Sequence, residues 1–265
     1  MSSYTSTEGE RQAAADCLNQ LVAASQQIQR AMRETQPSGI LALDSSRDIN
    51  AAVRMVGLHQ LVASDHLASF AGLLSLPGSH GLSLAALDRS FLETWARAWR
   101  VMQAPTSTRA EYRARAMVVT ELEAGGKRGI GLLSAEPIGG AIKRAMHERE
   151  EIKVLSPEIV PGPTALVKEL LQQSGVSAED AAAIYSHLLG VAHGESVFTE
   201  SLREMPVAWP VPVIALPRDD LAKYCVHLFS VTAIATWQLI RLWGLPPASE
   251  VAFSHAVADV GALLK

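Results

Sequence analysis

The sequence predicts an all-α protein, a single-domain bundle of about eight helices spanning residues 1–265. The composition is the first reason: 48% of residues are hydrophobic but only 5% are aromatic. A core built mainly from Ala, Leu and Val favours closely packed helices over sheets. The second reason is that apolar residues recur at helical spacing along most of the chain, whereas no segment alternates convincingly as a strand does.

The predicted helices follow one another with clear breaks. The first covers 8–35 and ends at the sequence QPSGI; we expect residues 1–45 to lie at the periphery. The second covers 50–76, and the third runs from its N-cap candidate Ser83 to about Gln103. The later helices are expected at 109–124, 139–155, 164–173, 177–198, 219–242 and 249–265.

Glycine and proline separate these later helices. The segment 124–140 holds six glycines and one proline, which favours a flexible loop. The proline-rich links at 156–163 and 205–217 are interpreted as rigid connections inside one domain. Ser177 is a predicted N-cap, followed by acidic residues in the first turn of its helix.

Charge and cysteine content exclude several classes of protein. The net charge is −4 and no basic tract exceeds GGKRG at 125–129, so nucleic-acid binding is not indicated. Cys17 and Cys225 stand far apart, which argues against a disulfide framework or a cysteine zinc site. The apolar stretch 225–244 contains His227 and Arg241 and reads as a core helix rather than a membrane span. We therefore expect a cytoplasmic protein that does not associate with membranes.

The stretch IYSHLLGVAHGES at 184–196 is the first candidate for chemistry. Helical geometry places Ser186, Gly190 and His193 on one face, with Tyr185 beside them. A glycine inside a helix costs about 1 kcal/mol relative to alanine, so Gly190 indicates close approach of another helix or of a ligand. His187 lies too far round the helix to share a metal with His193. His193 is either a general acid/base or a buried histidine bonded within the bundle.

The third helix supplies a second polar face. Arg89, Glu93 and Arg97 recur at i, i+4 and i+8, either as a solvated salt-bridged face or as a buried Glu–Arg pair that lines a cavity. Trp95 beside this stripe is expected at a pocket wall. On the second helix Asp65 and His66 are added as ligand-binding candidates. No Glu-x-x-His pair is present, so no metal site is predicted, and no nucleotide-binding loop or other cofactor motif is found.

Two segments carry a resemblance to a known group of proteins. One is the pattern R..LE..ARAW..M..P at 89–105, followed by a helix near AEYRARA, and the other is YSHLLGVAHGES at 185–196. Together they resemble uncharacterised bacterial all-helical proteins related to the HEPN superfamily. The resemblance implies a helical fold and a homodimer.

Many HEPN proteins are ribonucleases of toxin or phage-defence systems, in which an arginine precedes a histidine by four to six residues and the two meet across a dimer interface. Here Arg144 precedes His147 by three positions and Arg218 precedes His227 by nine. No arginine stands four to six residues before His193. From the spacing before these three histidines we predict a HEPN-like protein without ribonuclease chemistry.

Three functions follow as hypotheses. The first is a pocket between helices that binds a small molecule, or an interaction module, formed by Asp65/His66, Glu93/Arg97 and Tyr185/His193. The second is a cofactor-free enzyme of small-molecule metabolism, in which His193 is the general acid/base, Glu93 orients or polarises and Tyr185 donates a hydrogen bond. The third is a ribonuclease toxin with a degenerate motif.

Overall fold

The computed structural model describes residues 5–42, 50–78, 80–129, 137–152, 154, 156–202 and 215–263. Within these ranges it contains ten α-helices, one 3₁₀ turn and no strand, so the all-α prediction is confirmed. The helices are α1 (Glu8–Glu34), α2 (Ala51–Leu74), α3 (Gly81–Met102), α4 (Ser107–Lys127), α5 (Ile138–Glu150), α6 (Pro163–Gln173), α7 (Ala178–Ala192), α8 (Ser196–Glu200), α9 (Arg218–Trp243) and α10 (Pro247–Leu263).

Helix α3 is the centre of the bundle and contacts α2, α4, α6, α7 and α9. Its buried face is built from large side chains such as Phe91, Leu92 and Trp95, which pack against small and aliphatic residues of the neighbouring helices. The core therefore consists mainly of Ala, Leu and Val around a few aromatic rings, as the composition indicates. Because α3 contacts so many helices, its polar residues meet side chains from several directions.

Helix α1, expected at the periphery, buries one side in the common core. Leu18 and Leu21 are completely buried, and the helix packs against α2, α9 and α10. Its first turn is fixed by a capping box, in which Thr7 and Glu10 satisfy each other's backbone N–H groups. The first helix is thus part of the same hydrophobic cluster as α3.

The glycine-rich segment was expected as a loop over 124–140, and both of its ends are helical instead. Helix α4 continues to Lys127, and α5 begins at Ile138. A Cβ added at Gly125 or Gly126 would lie 3.6 or 3.7 Å from the Ile138 side chain. An alanine at either position would therefore make only an ordinary van der Waals contact with α5, and residues 130–136 lie outside the described part of the chain.

Helix α7 ends earlier than the sequence pattern predicts. Its C-cap is His193, and Gly194 follows with φ of 69°, a left-handed conformation that favours glycine. The short helix α8 then begins at Ser196. This break divides the segment predicted as one helix over 177–198 into α7 and α8.

Helix α9 is, by length and composition, able to cross a membrane. In the structure, 56% of its most apolar window is buried inside the protein. Tyr224, Leu228, Val231 and Leu239 lie in the common core. This burial against the other helices agrees with the expectation of a core helix.

Candidate functional site

Helices α3 and α7 bring Glu93 and Tyr185 into direct contact. The Tyr185 hydroxyl donates to Glu93 Oε1 over 2.8 Å, and Arg89 Nε donates to the same oxygen over 2.8 Å. Burial, followed by the hydrogen bond to Glu93, raises the pKa of Tyr185. Tyr185 therefore stays protonated, and its proton is already engaged by Glu93.

His193 joins this cluster through Arg89. The Nη1 atom of Arg89 lies 3.5 Å from His193 Nε2, at the outer limit of a hydrogen bond. His193 is exposed at the end of α7 and not inside a continuous helix. Three predicted catalytic residues, Glu93, Tyr185 and His193, thus lie around one arginine, which we call the Arg89 cluster (Arg89, Glu93, Tyr185 and His193).

Gly190 does mark a close approach, but of a side chain from the same protein. A Cβ at Gly190 would lie 2.1 Å from the Phe198 ring, which belongs to α8. Of the two interpretations of Gly190, the structure shows the close approach of another helix, because α8 folds back onto α7 at this point. Ser186, predicted on the same face, is exposed.

Two other ligand-binding candidates lie elsewhere. Trp95 is only 2% exposed and packs in the main core. Its position i+4 from Phe91 puts it on the apolar side of α3. On α2, Asp65 is exposed and His66 is half-buried. Within the described ranges, no hydrogen bond or ion pair connects Asp65 or His66 to the Arg89 cluster.

Arg97 extends the polar contacts of α3 towards α4. It donates to the Glu93 carbonyl over 3.2 Å and pairs with Glu121 over 3.1 Å, while its Nη2 lies 3.9 Å from Glu93 Oε2. Glu121 lines a cavity of about 480 Å³ between α2, α4 and α5. The sequence-predicted Glu93/Arg97 pair is therefore linked to this cavity through Glu121.

The cavity has apolar walls and polar groups at several points. Met55, Leu58, Val118, Leu122, Ala141 and Ala145 supply the apolar part. The polar lining residues are Arg54, His59, Arg115, Glu121, Arg144 and Glu148. A volume in this range, apolar lining and a few placed polar groups are typical of small-molecule sites.

The protonation of the two ring nitrogens of His59 follows from its contacts in the cavity wall. Its Nδ1 lies 2.7 Å from the Met55 carbonyl oxygen, which can only accept, so Nδ1 carries a proton. Burial lowers the pKa of His59, although the Met55 carbonyl and Glu121 act in the opposite direction. At neutral pH Nε2 is therefore a hydrogen-bond acceptor on a cavity-lining side chain.

Arg115 holds the end of the cavity together. It pairs with Glu111 over 2.9 Å and with Glu148 of α5. The Glu111 carboxylate also accepts from the N–H groups of Ala51 and Ala52, over 3.0 and 2.9 Å, and so caps α2. The ion pairs thus fix α2, α4 and α5 relative to one another.

A second polar cluster, which was not predicted from the sequence, lies on the opposite side of α3. Asp88 is completely buried, and its Oδ2 lies 3.2 Å from His227 Nδ1 of α9. Beside them, the Tyr224 hydroxyl oxygen lies 3.1 Å from His187 Nε2. Burial raises the pKa of Asp88 and that of Tyr224, and it lowers the pKa of His187.

A signal for this second cluster was present in the sequence. Asp88 interrupts the apolar stripe formed by Leu84, Phe91 and Trp95 at i−4, i+3 and i+7. An acid in the buried stripe of a helix needs a partner from another helix. Among the described residues, no group of three or more His, Cys, Asp or Glu side chains could hold a metal ion.

Comparison with known proteins adds no relative. No family model matches the chain, and no curated protein or solved structure is significantly similar to it. The HEPN-like relationship therefore stays a prediction that depends on the two quoted sequence segments.

Proposed function

We propose that this chain is a cytoplasmic, HEPN-like helical protein that binds a small, largely apolar molecule between α2, α4 and α5. The observation that carries the proposal is the cavity of about 480 Å³ with its apolar walls and the acceptor atom of His59. Such a volume is ample for a metabolite-sized ligand. Compared with the sequence hypothesis, the site moves from the Tyr185/His193 face to the other end of the Glu93–Arg97–Glu121 contacts.

The lining residues specify the ligand's polar groups. A hydrogen-bond donor on the ligand would satisfy His59 Nε2. An anionic group would meet Arg54, for which no ion pair with another described residue is found. Arg115 should attract an anionic group of the ligand less strongly, because Glu111 and Glu148 already neutralise its charge. The favoured ligand is thus an apolar ring or chain that carries one donor and one anionic group.

Anilinonaphthalene sulfonate is a suitable probe, since it combines fused rings, one N–H donor and one sulfonate. Titration of the purified protein followed by fluorescence should give saturable binding of one probe per chain. Ala145→Phe fills the cavity and should weaken binding at least about tenfold, or about 1.4 kcal/mol. Ala183→Phe places the same side chain on the exposed surface of α7 and serves as the matched control.

His59→Gln tests the polar contact without filling the cavity. Probe binding that is unaffected by both Ala145→Phe and His59→Gln would contradict the proposed site. Circular dichroism and the melting temperature establish that each variant is folded. If Ala145→Phe does not fold, His59→Gln still decides whether the probe lies beside the imidazole.

The contact between Arg89 and His193 favours a second candidate, acid/base catalysis at the Arg89 cluster. His193 is exposed and can meet a substrate, whereas Glu93 holds Arg89 and Tyr185 in place. In this arrangement His193 exchanges the proton and Tyr185 is a positioning residue, because its own proton is donated to Glu93.

This second candidate predicts turnover that His193→Gln removes and that His255→Gln, the same substitution at an exposed position of α10, leaves intact. Assays with model esters and with RNA separate small-molecule chemistry from the degenerate ribonuclease. RNA that stays intact in the presence of the wild-type protein argues against the ribonuclease. Cleavage that persists in His193→Gln would exclude His193 as the catalytic group.

We also propose that the protein forms a homodimer. Leu58 and Leu61 of α2 lie three positions apart with 57% and 46% exposure, and such apolar surface is suited to a partner helix. Light scattering measures the molar mass directly. A monomeric mass at all accessible concentrations would contradict the dimer, and Leu61→Glu should shift a dimer towards monomer.

A further inference from the structure

Three arginines converge on one glutamate at the end of the bundle formed by α3 and α4. Arg113 donates to both oxygens of Glu158, over 2.8 and 3.2 Å. Arg100 reaches Oε2 over 2.7 Å, and Arg109 lies 3.4 Å from Oε1. This group, which we call the three-arginine cluster (Arg100, Arg109 and Arg113 around Glu158), is separate from both the cavity and the Arg89 cluster.

The charges in this cluster do not balance. Three guanidinium groups surround a single carboxylate, and none of the three pairs with a second acid in the described part of the chain. Because all three approach the same two oxygens, the like charges are held close together, which is unfavourable. By contrast, Arg115 on the same helix α4 is shared by two carboxylates, Glu111 and Glu148.

Two of the three arginines, Arg109 and Arg113, also have contacts besides the carboxylate. Arg113 also donates to the Arg100 carbonyl over 3.0 Å, and the Arg109 guanidinium lies 6.0 Å from the centre of the Tyr112 ring. Their side chains are only 11–20% exposed and extend from regular helices. Such fixed guanidinium groups form a preorganised anion site.

Glu158, in contrast, lies on an irregular segment. Residues 156–162 are neither helix nor strand, and the adjacent Ile159 is 92% exposed. The free space beside Glu158 is only about 10 Å³, too small to admit an anion while the carboxylate remains. An external anion would therefore have to displace the Glu158 side chain, while the segment itself stays held by the hydrogen bond from Arg109 to the Ser156 carbonyl and by the packing of Val160.

We propose that Arg100, Arg109 and Arg113 form a binding site for a phosphate group, which Glu158 occupies as a tethered carboxylate until phosphate displaces it. A phosphate dianion brings one more negative charge than a carboxylate and three or more acceptor oxygens for the three guanidinium groups. Because the tether gives Glu158 a high effective concentration, the wild-type protein should bind phosphate only weakly.

Removal of the tethered charge exposes the site. In calorimetric titrations with inorganic phosphate, Glu158→Gln should bind at least about tenfold more tightly than the wild type. Glu250→Gln removes the same charge from an exposed position in α10 and should leave binding unchanged. Adding Arg113→Gln to Glu158→Gln should abolish the gain.

Two further ligands define the chemistry. Glycerol phosphate distinguishes a phosphomonoester from the free ion: tighter binding than inorganic phosphate identifies an esterified ligand, and weaker binding identifies the free ion. Acetate should bind Glu158→Gln much more weakly than phosphate. Equal affinity for acetate and phosphate, or no difference between Glu158→Gln and Glu250→Gln, would overturn the proposal.

A folding defect in Glu158→Gln does not prevent the test. In that case the melting temperature of the wild-type protein is compared in phosphate and in sodium chloride at equal ionic strength. We expect a higher melting temperature in phosphate than in sodium chloride. Arg113→Lys should reduce this difference, because lysine cannot form the bidentate contact of arginine. The absence of a rise overturns it.

Discussion

Two acids on α3, only five residues apart, lie in opposite environments. Asp88 faces α9 and is completely buried; its Oδ2 meets His227, while its Oδ1 has no hydrogen-bond partner among the described residues. Glu93 faces α7, with 16% of its side chain exposed, and accepts hydrogen bonds from Tyr185 and Arg89 on one oxygen. The same helix thus presents a poorly satisfied acid to the core and a well satisfied acid to a surface cluster.

This difference in environment suggests that Asp88 stabilises the fold and that Glu93 is available for binding or catalysis. A buried acid with one partner holds two helices in one relative position, because separating the pair leaves a charge or a polar group without water. An acid near solvent that has several partners can exchange one of them for water or a ligand at low cost. We therefore expect changes around Asp88 to affect folding and changes around Glu93 to affect binding or turnover.

His227→Ala should have the largest effect. It leaves Asp88 buried without a partner, and breaking such a pair costs about 3–5 kcal/mol of the free energy of unfolding. Urea denaturation followed by circular dichroism measures the loss. In the double variant Asp88→Leu/His227→Leu, where both polar groups are replaced, most of the stability should return.

The contrast between Asp88 and Glu93 is contradicted if removing a partner from either acid lowers the free energy of unfolding by the same amount. His227→Ala and Tyr185→Phe are the matched pair, since each takes one hydrogen-bonding partner away from an acid of α3. Similar losses for both variants would show that Asp88 and Glu93 hold the fold equally, and the division between a structural and a chemical acid would be wrong.

Gly190→Ala should have an intermediate effect. The new Cβ would overlap the Phe198 ring at 2.1 Å, so α8 has to move away from α7. Overpacking of this kind costs about 1–3 kcal/mol. Phe198 also contacts His187, so the change disturbs the Asp88 side more than the Glu93 side. Combining it with Phe198→Ala should remove the clash, and a double variant no more stable than Gly190→Ala would contradict this account.

Part of this organisation was predictable from the sequence. The helical spacing of Arg89, Glu93 and Arg97 defines one polar face, and Tyr185 and His193 define another, so their meeting needed only that α3 and α7 be neighbours. Asp88 is not among the predicted site residues, because it lies outside the polar face that the spacing of Arg89, Glu93 and Arg97 defines. Its place in the apolar stripe with Leu84 and Phe91 was the available signal.

The cavity and the three-arginine cluster could not be predicted in the same way. The cavity depends on how far α5 stands from α2, which is set by Arg115 and its carboxylate partners on α4 and α5. The three-arginine cluster joins α3 and α4 to Glu158 on an irregular segment, 45 and 58 positions away from Arg113 and Arg100. Periodicity describes one helix at a time and contains no information on such distances.

Tyr185→Phe should have a smaller effect on stability. It removes the hydrogen bond to Glu93, although Arg89 still occupies the same oxygen, so the expected loss is about 1 kcal/mol. Urea denaturation measures it. If the Arg89 cluster is catalytic, the same variant should lower turnover by more than its stability loss explains, and unchanged turnover would remove Tyr185 from the catalytic proposal.

The last expected effect concerns the pH dependence of stability. Burial raises the pKa of Asp88 above its ordinary value of 3.8, so above that pH the folded protein retains a proton that the unfolded chain releases. This contribution to stability is complete below pH 3.8 and is lost as pH rises towards the raised value. Asp88→Asn does not titrate, so its free energy of unfolding should improve relative to the wild type as pH rises from 3.8. Urea denaturation of both proteins at several pH values measures the difference, with Glu93→Gln as the surface control. A difference that stays constant would mean that His227 and the nearby His187 offset the burial of Asp88 completely.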